Sequence, residues 1–293
     1  MSLFDSFKSL LGTGTKVDIR KRYELVREAI SGTMSKFYLA RDRQTGQMVG
    51  VKVIDRQKLA EFESRFKGLK KPSEGQIAKS LEHPNIVKTY EYGLTTRNEQ
   101  YLAMEFISGP GLNSLIIGRN DEVLGGIRVE LIRQIAAALQ AVHAAGYIHR
   151  DVCPRNVMID PEAGTLKLID FGLTVPATAP FMRPGNRTGT PNYMAPELVK
   201  RQKTDQRLDV FAFGVTAYEM CTFELPWERG STGQVAMSHA TRPPVDIREY
   251  RPQIDQRLAA AIHAAIEPNV EKRCPSMDHF LKLLRNVEQE DAA

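Results

Sequence analysis

Apolar positions in the first part of the chain recur with a period of two. Residues 23–54 alternate in short runs broken by turns, which predicts strands, with "RDRQTGQ" as a hairpin connection. Residues 57–82 follow a helical pattern interrupted at "KGLKKPSE"; Pro72 suits a first helical turn, so a fresh helix is expected from there to Leu81. "NIVKTYEYG" and "QYLAMEF" return to strand character, and "SGPGL" is the sharpest glycine/proline break in the first half. After it the period lengthens. "RVELIRQIAAALQAVHAAG" is a long amphipathic helix ending at Gly146, "NVMIDPEAGTLKLIDFG" is a small hairpin, and beyond the loop of residues 174–192 nearly everything is helix. No segment repeats.

Composition narrows the class. The 293 residues are 42% apolar and 26% charged, without low-complexity tracts, which suits one large domain or two packed lobes. The net charge of +5 is spread along the chain, and its short basic clusters lack the interleaved aromatics of a nucleic-acid surface. Three widely spaced cysteines without a C-x-x-C pair argue against a disulfide framework or a zinc site and suit a cytoplasmic protein. No signal peptide is expected, and no apolar run reaches bilayer length. In "MSLFDSFKSLLG", Leu3, Phe4, Phe7, Leu10 and Leu11 share one helical face. That face either docks on the domain or offers residues 1–12 to a membrane surface or a partner.

The candidate chemistry lies around the small hairpin. Asp151 and Asn156 lead into its first strand and Asp170 leaves its second, so two carboxylates and an amide oxygen are expected to converge. Oxygen ligands of this kind suit Mg²⁺ held together with substrate phosphates. Lys52, central in "VGVKVI", could neutralise phosphate oxygens, with Glu74 on the following helix as its partner.

Taken in order, "VGVKVI", "SEGQIAKSLEHPNIV", "MEFISG", "HRDVCPRN", "DFG", "GTPNYMAPE", "LDVFAFGVTAYEM", "LPW" and "EKRCPS" resemble the eukaryotic-type (Hanks-type) serine/threonine protein kinases, of the compact sort found in bacteria. The resemblance implies an α+β bilobal fold with a small antiparallel-sheet N-lobe carrying one main helix and a larger, mainly helical C-lobe. It implies an N-terminal extension over residues 1–17, a kinase domain over 18–287 divided near 107/108, and a short polar tail over 288–293. By the same resemblance Lys52 holds the α- and β-phosphates of ATP and pairs with Glu74, Asp151 accepts the proton of a protein serine or threonine hydroxyl, and Asn156 and Asp170 bind Mg²⁺. The adenine would bond the backbone of Glu105 and Ile107 behind Met104, under Phe37 and Gly50 and over Met158. Thr190 matches the residue that marks serine/threonine specificity. Glu197 and Arg273 would form a buried ion pair, Asp209 would brace the catalytic loop, and His149 would pack internally.

Three departures stand out. "ISGTMSKF" keeps Gly32, the middle glycine of the phosphate loop, with Ile30 and Ser35 where the outer two usually stand, so weaker or slower ATP engagement is expected. Cys153 occupies the position of a lysine, and Arg155, two residues on, could supply that charge. Asn186 stands four residues before Thr190, where many kinases carry an activating phosphothreonine; Thr174, Thr178 and Thr188 remain available. The rival reading is a pseudokinase, a nucleotide-binding scaffold.

Overall fold

The computed structural model describes residues 16–291 apart from 32, 33, 67, 161, 162, 186, 187, 228–231, 289 and 290. The chain divides into two compact units, one of Met1–His83 with Val87–Ile107 and the other of Pro84–Ile86 with Ser108–Ala293. The amphipathic stretch expected at residues 1–12 lies outside the described residues.

The first unit opens with α1 (Ile19–Arg22), capped by Asp18, and continues through β1 (Tyr23–Ser31), β2 (Ser35–Asp42) and β3 (Met48–Ile54). Next come α2 (Arg56–Glu63), a 3₁₀ turn at Ser64–Phe66, α3 (Glu74–Ser80), β4 (Thr89–Leu94) and β5 (Gln100–Glu105). The five strands form one antiparallel sheet in the order β1-β2-β3-β5-β4. Alternation explains which side chains go where: Val49 and Val51 of β3 join Tyr23, Ala40, Tyr101 and Ala103 in a buried cluster, which turns Gly50 and Lys52 to the opposite face.

Two expectations are corrected here. The second helix begins at Glu74, not in a turn containing Pro72. A capping box sets that start: Ser73 Oγ accepts from the N–H of Gln76 (3.2 Å), and Gln76 Oε1 accepts from the N–H of Ser73 (2.8 Å). "NIVKTYEYG" becomes strand only from Thr89. Its first residues belong to the second unit, where the Asn85 carbonyl accepts from the N–H of Leu168 (2.8 Å) and Ile86 bridges Leu168, so their backbone pairs there instead of in the five-stranded sheet.

The second unit contains α4 (Leu112–Ile117), α5 (Asp121–Leu124), α6 (Arg128–Ala144), β6 (Tyr147–Ile148), β7 (Val157–Asp160), β8 (Thr165–Leu168) and β9 (Val175–Pro176). It continues with α7 (Pro196–Val199), α8 (Arg207–Thr222), α9 (Thr232–Thr241), α10 (Ile247–Tyr250), α11 (Gln256–Ala265) and α12 (Met277–Leu283). Every residue of α8 from Leu208 to Thr222 is buried, the mark of a central helix that other elements pack around. β7 pairs with β8 and β6 with β9 as two-stranded antiparallel ribbons. Near the chain end, Asp291 pairs in two-pronged fashion with Arg251 (2.6 and 2.8 Å). Among the described residues, no helix is long and apolar enough to cross a membrane.

α3 lies so close to β4 that a Cβ on Gly75 would sit 2.6 Å from both Cβ and Cγ of Tyr92. Those atoms are anchored at the strand and cannot swing away. Gly75→Ala should therefore cost about 1–3 kcal/mol despite alanine's better helix propensity. Urea unfolding of the two proteins measures the difference.

Candidate active site

In the first unit, the β2–β3–β5 register sets Lys52 beside Phe37 and Leu102. Its ammonium lies 2.6 Å from Glu74 Oε1, and both side chains are buried. Glu74 is the first residue of α3, where the unpaired N–H groups and the helix dipole favour a carboxylate. Lys71 is a second cation in its neighbourhood; burial draws its ammonium below the usual range, against the pull of Glu74 and Glu63. Breaking a buried pair of this kind strands a charge and is worth about 3–5 kcal/mol.

The other first-unit candidates surround this strand. A Cβ on Gly50 would meet the Phe37 ring at 2.5 Å and Met104 Cγ at 3.3 Å, so the missing side chain is what admits the ring. Glu105 spends its N–H on the Lys88 carbonyl (2.9 Å), so any further backbone bond from it falls to its own carbonyl. Ile107 closes the unit, partly exposed. Ile30 pairs with Phe37 across β1 and β2, while Gly32 lies outside the described residues.

In the second unit, the loop before β7 is organised around Asp151. Its Oδ1 accepts from both the N–H (3.0 Å) and the hydroxyl (2.8 Å) of Thr190. Its Oδ2 accepts from Asn156 Nδ2 at 3.0 Å. Asn156 Nδ2 also donates to the Asp151 backbone carbonyl (2.7 Å), which settles the orientation of the amide and turns Oδ1 away as an acceptor. The N–H of Ile169 bonds the Asn156 carbonyl (2.8 Å), so the β7–β8 hairpin sets Asn156 next to the start of the Asp170 loop. Asp170 Oδ1 accepts from the N–H of Gly172 (2.9 Å). An amide oxygen and a solvent-facing carboxylate on adjoining loops form an all-oxygen donor set, which fits Mg²⁺ and its retained waters. Met158, on β7, makes a β-bridge with Gly111.

Cys153 is buried, and burial pushes its thiol up to about 11, with Asp151 adding to the rise. It therefore carries no charge at neutral pH. The nearby cation is Arg155, whose Nη2 donates to the Thr190 hydroxyl at 3.0 Å. Thr190 thus stands between the Asp151 carboxylate and a guanidinium.

Both loops contain a left-handed residue without glycine's freedom, Arg150 at φ +70° and Asp170 at φ +66°. Such backbone persists only where its surroundings enforce it. For Arg150 the enforcer is Asp209 on α8, fully buried, whose two oxygens accept from the N–H of His149 (2.7 Å) and of Arg150 (2.8 Å). His143 Nε2 completes the shell at 2.9 Å, a contact with no signal in the sequence beyond a histidine near a helix end. His149 is fully buried against Phe171 at 5.2 Å, and burial lowers its basicity, so it is a packed neutral ring. Glu197 and Arg273 form a buried two-pronged pair (2.7 and 2.8 Å).

A five-stranded antiparallel sheet in the first unit and a mainly helical second unit with two small ribbons make the fold that of a protein kinase. The protein kinase domain family matches residues 23–284, and the chain belongs to that family. It is 31% identical to serine/threonine-protein kinase pkn3 of Myxococcus xanthus over 271 residues, covering 88% of this chain and 48% of that protein. It is 33% identical to serine/threonine-protein kinase PknA of Mycobacterium tuberculosis over 235 residues, covering 78% and 53%. Pkn1 of Myxococcus xanthus is 31% identical over 270 residues, with 90% and 38% covered. The chain therefore spans about half the length, or less, of these relatives.

Asp209 titrates below the ordinary carboxylate range: burial works upward, and the hydrogen bond from His143, the nearby histidines and the backbone N–H of Arg150 outweigh it. A depressed carboxylate contributes stability that is fully present above its unfolded value and is lost as pH falls through the folded one. An amide at this position offers one acceptor to two backbone donors. Asp209→Asn should cost about 3 kcal/mol at pH 7, and the gap to wild type should narrow below about pH 4. Urea midpoints across pH 3–7 check both parts.

Proposed function

We propose that the chain is an active Mg-ATP-dependent serine/threonine protein kinase that transfers the γ-phosphoryl group to a protein hydroxyl. The observation that carries this reading is the Asp151 carboxylate, held by Asn156 through one oxygen and already accepting a hydroxyl hydrogen, that of Thr190, through the other. A substrate serine or threonine would present the same group to the same atom, and Asp151 would take its proton as the oxygen attacks. Lys52, kept extended by Glu74, neutralises the α- and β-phosphates. Asn156 and Asp170 would hold Mg²⁺, which would offset the charge of the phosphate oxygens when bound. Arg155 brings a cation beside Thr190 where Cys153 is neutral, doing the work of the absent lysine. The adenine is held by the backbone of Glu105 and Ile107 and by Met104, Phe37, Gly50, Ile30 and Met158, with Gly32 as the close-approach residue of the phosphate loop. The domain runs over residues 18–287, acts in the cytoplasm on protein partners rather than nucleic acid, and uses residues 1–12 for docking or recruitment.

Cys153 and the single-glycine loop favour one alternative, a pseudokinase that binds nucleotide as a scaffold without transferring phosphate. Labelled γ-phosphate separates the two. With Mg²⁺ and generic protein substrates, Asp151→Asn should lower incorporation by about 10²–10⁴-fold. Equal incorporation by both proteins, or none by wild type, overturns the kinase reading. Arg155→Ala should cut turnover by about 10²-fold, with Arg155→Lys recovering part of the loss, as expected for a charge beside the transferring group. Unchanged turnover in Arg155→Ala removes that role from Arg155.

A further inference from the structure

Residues 190–195 border Asp151. They start at Thr190, bonded to Asp151 Oδ1, and pass through a 3₁₀ turn closed by Tyr193 N–H to the Thr190 carbonyl (3.0 Å) and Met194 N–H to the Pro191 carbonyl (3.2 Å). Asp151, Val152, Tyr193, Met194 and Ala195 together line a small cavity of the second unit. Whatever presents a hydroxyl to Asp151 runs past this segment, so its position sets where an acceptor lies.

Two buried side chains from elsewhere in the unit hold the segment. Tyr193 Oη donates to Glu219 Oε2 on α8 at 2.5 Å. His239 Nδ1, on α9, lies 2.9 Å from the Met194 carbonyl, and because a carbonyl only accepts, Nδ1 carries the hydrogen. The imidazole is locked in place. Its ring lies 4.5 Å from Trp227 and 5.6 Å from Phe211, those two rings stack at 5.7 Å, and only 1% of the residue is exposed. Trp227 Nε1 in turn donates to the Arg242 carbonyl (3.0 Å), just past the end of α9, and the Arg273 guanidinium of the Glu197 pair lies 5.0 Å from the Phe211 ring. An aromatic cluster could be completed by leucine or phenylalanine at lower desolvation cost. A histidine here is balanced by the one bond it makes, and that bond goes to the segment bordering Asp151.

We propose that His239 is a positioning residue for the protein acceptor: through the Met194 carbonyl it holds residues 190–195 so that an incoming hydroxyl meets Asp151. This rests on the kinase reading. It acts on the acceptor side alone and leaves nucleotide engagement to other residues.

Three substitutions test it. His239→Leu keeps volume without a donor. His239→Asn puts an amide N–H where Nδ1 stands, and His239→Gln carries its amide one methylene too far. Two readouts are used, hydrogen exchange of residues 190–195 by mass spectrometry and the KM of a protein substrate compared with the KM of ATP. Leu and Gln should speed exchange and raise the protein-substrate KM by about five-fold or more, the size of one net hydrogen bond, with the ATP KM within about two-fold and Asn close to wild type. Should His239→Leu fail to fold, the Asn–Gln pair decides. Unchanged exchange in Leu and Gln, or Asn behaving like Gln, overturns the proposal. A wild type without phosphotransfer would sink the kinase reading while the exchange data still decide whether His239 anchors the segment.

Discussion

The geometry of the second unit depends on a single buried carboxylate. Asp209 sits in the first turn of α8, a helix buried from Leu208 to Thr222, where an unpaired charge would be prohibitive, and it is tolerated because every oxygen is used. Two of its partners are consecutive backbone N–H groups, so satisfying the carboxylate also dictates the backbone at His149 and Arg150, including the left-handed turn. The next residue is Asp151. The direction of the Asp151 loop is thus set from within the core, and the strain it needs is held in place by an electrostatic demand that cannot be met another way.

Several residues can be understood only together with a neighbour. Gly50 lacks the Cβ that would strike Phe37, so a bulky ring on β2 and a bare backbone on β3 belong together. Cys153 is buried and uncharged, and Arg155 in the same loop bonds the Thr190 hydroxyl. Glu74 depends on its neighbours as well: its helix starts at the glutamate itself, and the capping box of Ser73 and Gln76 fixes that start.

Much of this was legible along the chain because it depends on local chemistry. The period-two runs of residues 23–54, the Gly146 stop after α6 and the β7–β8 hairpin all follow from alternation and turn residues. The motif order from Lys52 to Arg273 carried the family. Local signals failed where distant partners compete for the backbone. Asn85 looked like the start of a strand, yet its carbonyl is taken by the N–H of Leu168 within the second unit. His143 and His239 carried no signal, because a histidine's partner across 45 or 66 residues leaves no spacing to read.

By itself the sequence determined the class of fold, the order of its elements and the identity of the groups available for chemistry, since these rest on periodicity, turn propensity and side-chain type. Tertiary structure decided which of those groups meet. Only packing could set Arg155 against Thr190, bury Cys153 so that its thiol stays protonated, and use Asp209 to aim the loop of Asp151. Contact and desolvation are properties of three-dimensional neighbours, and they convert a set of eligible residues into a site with defined charges and directions.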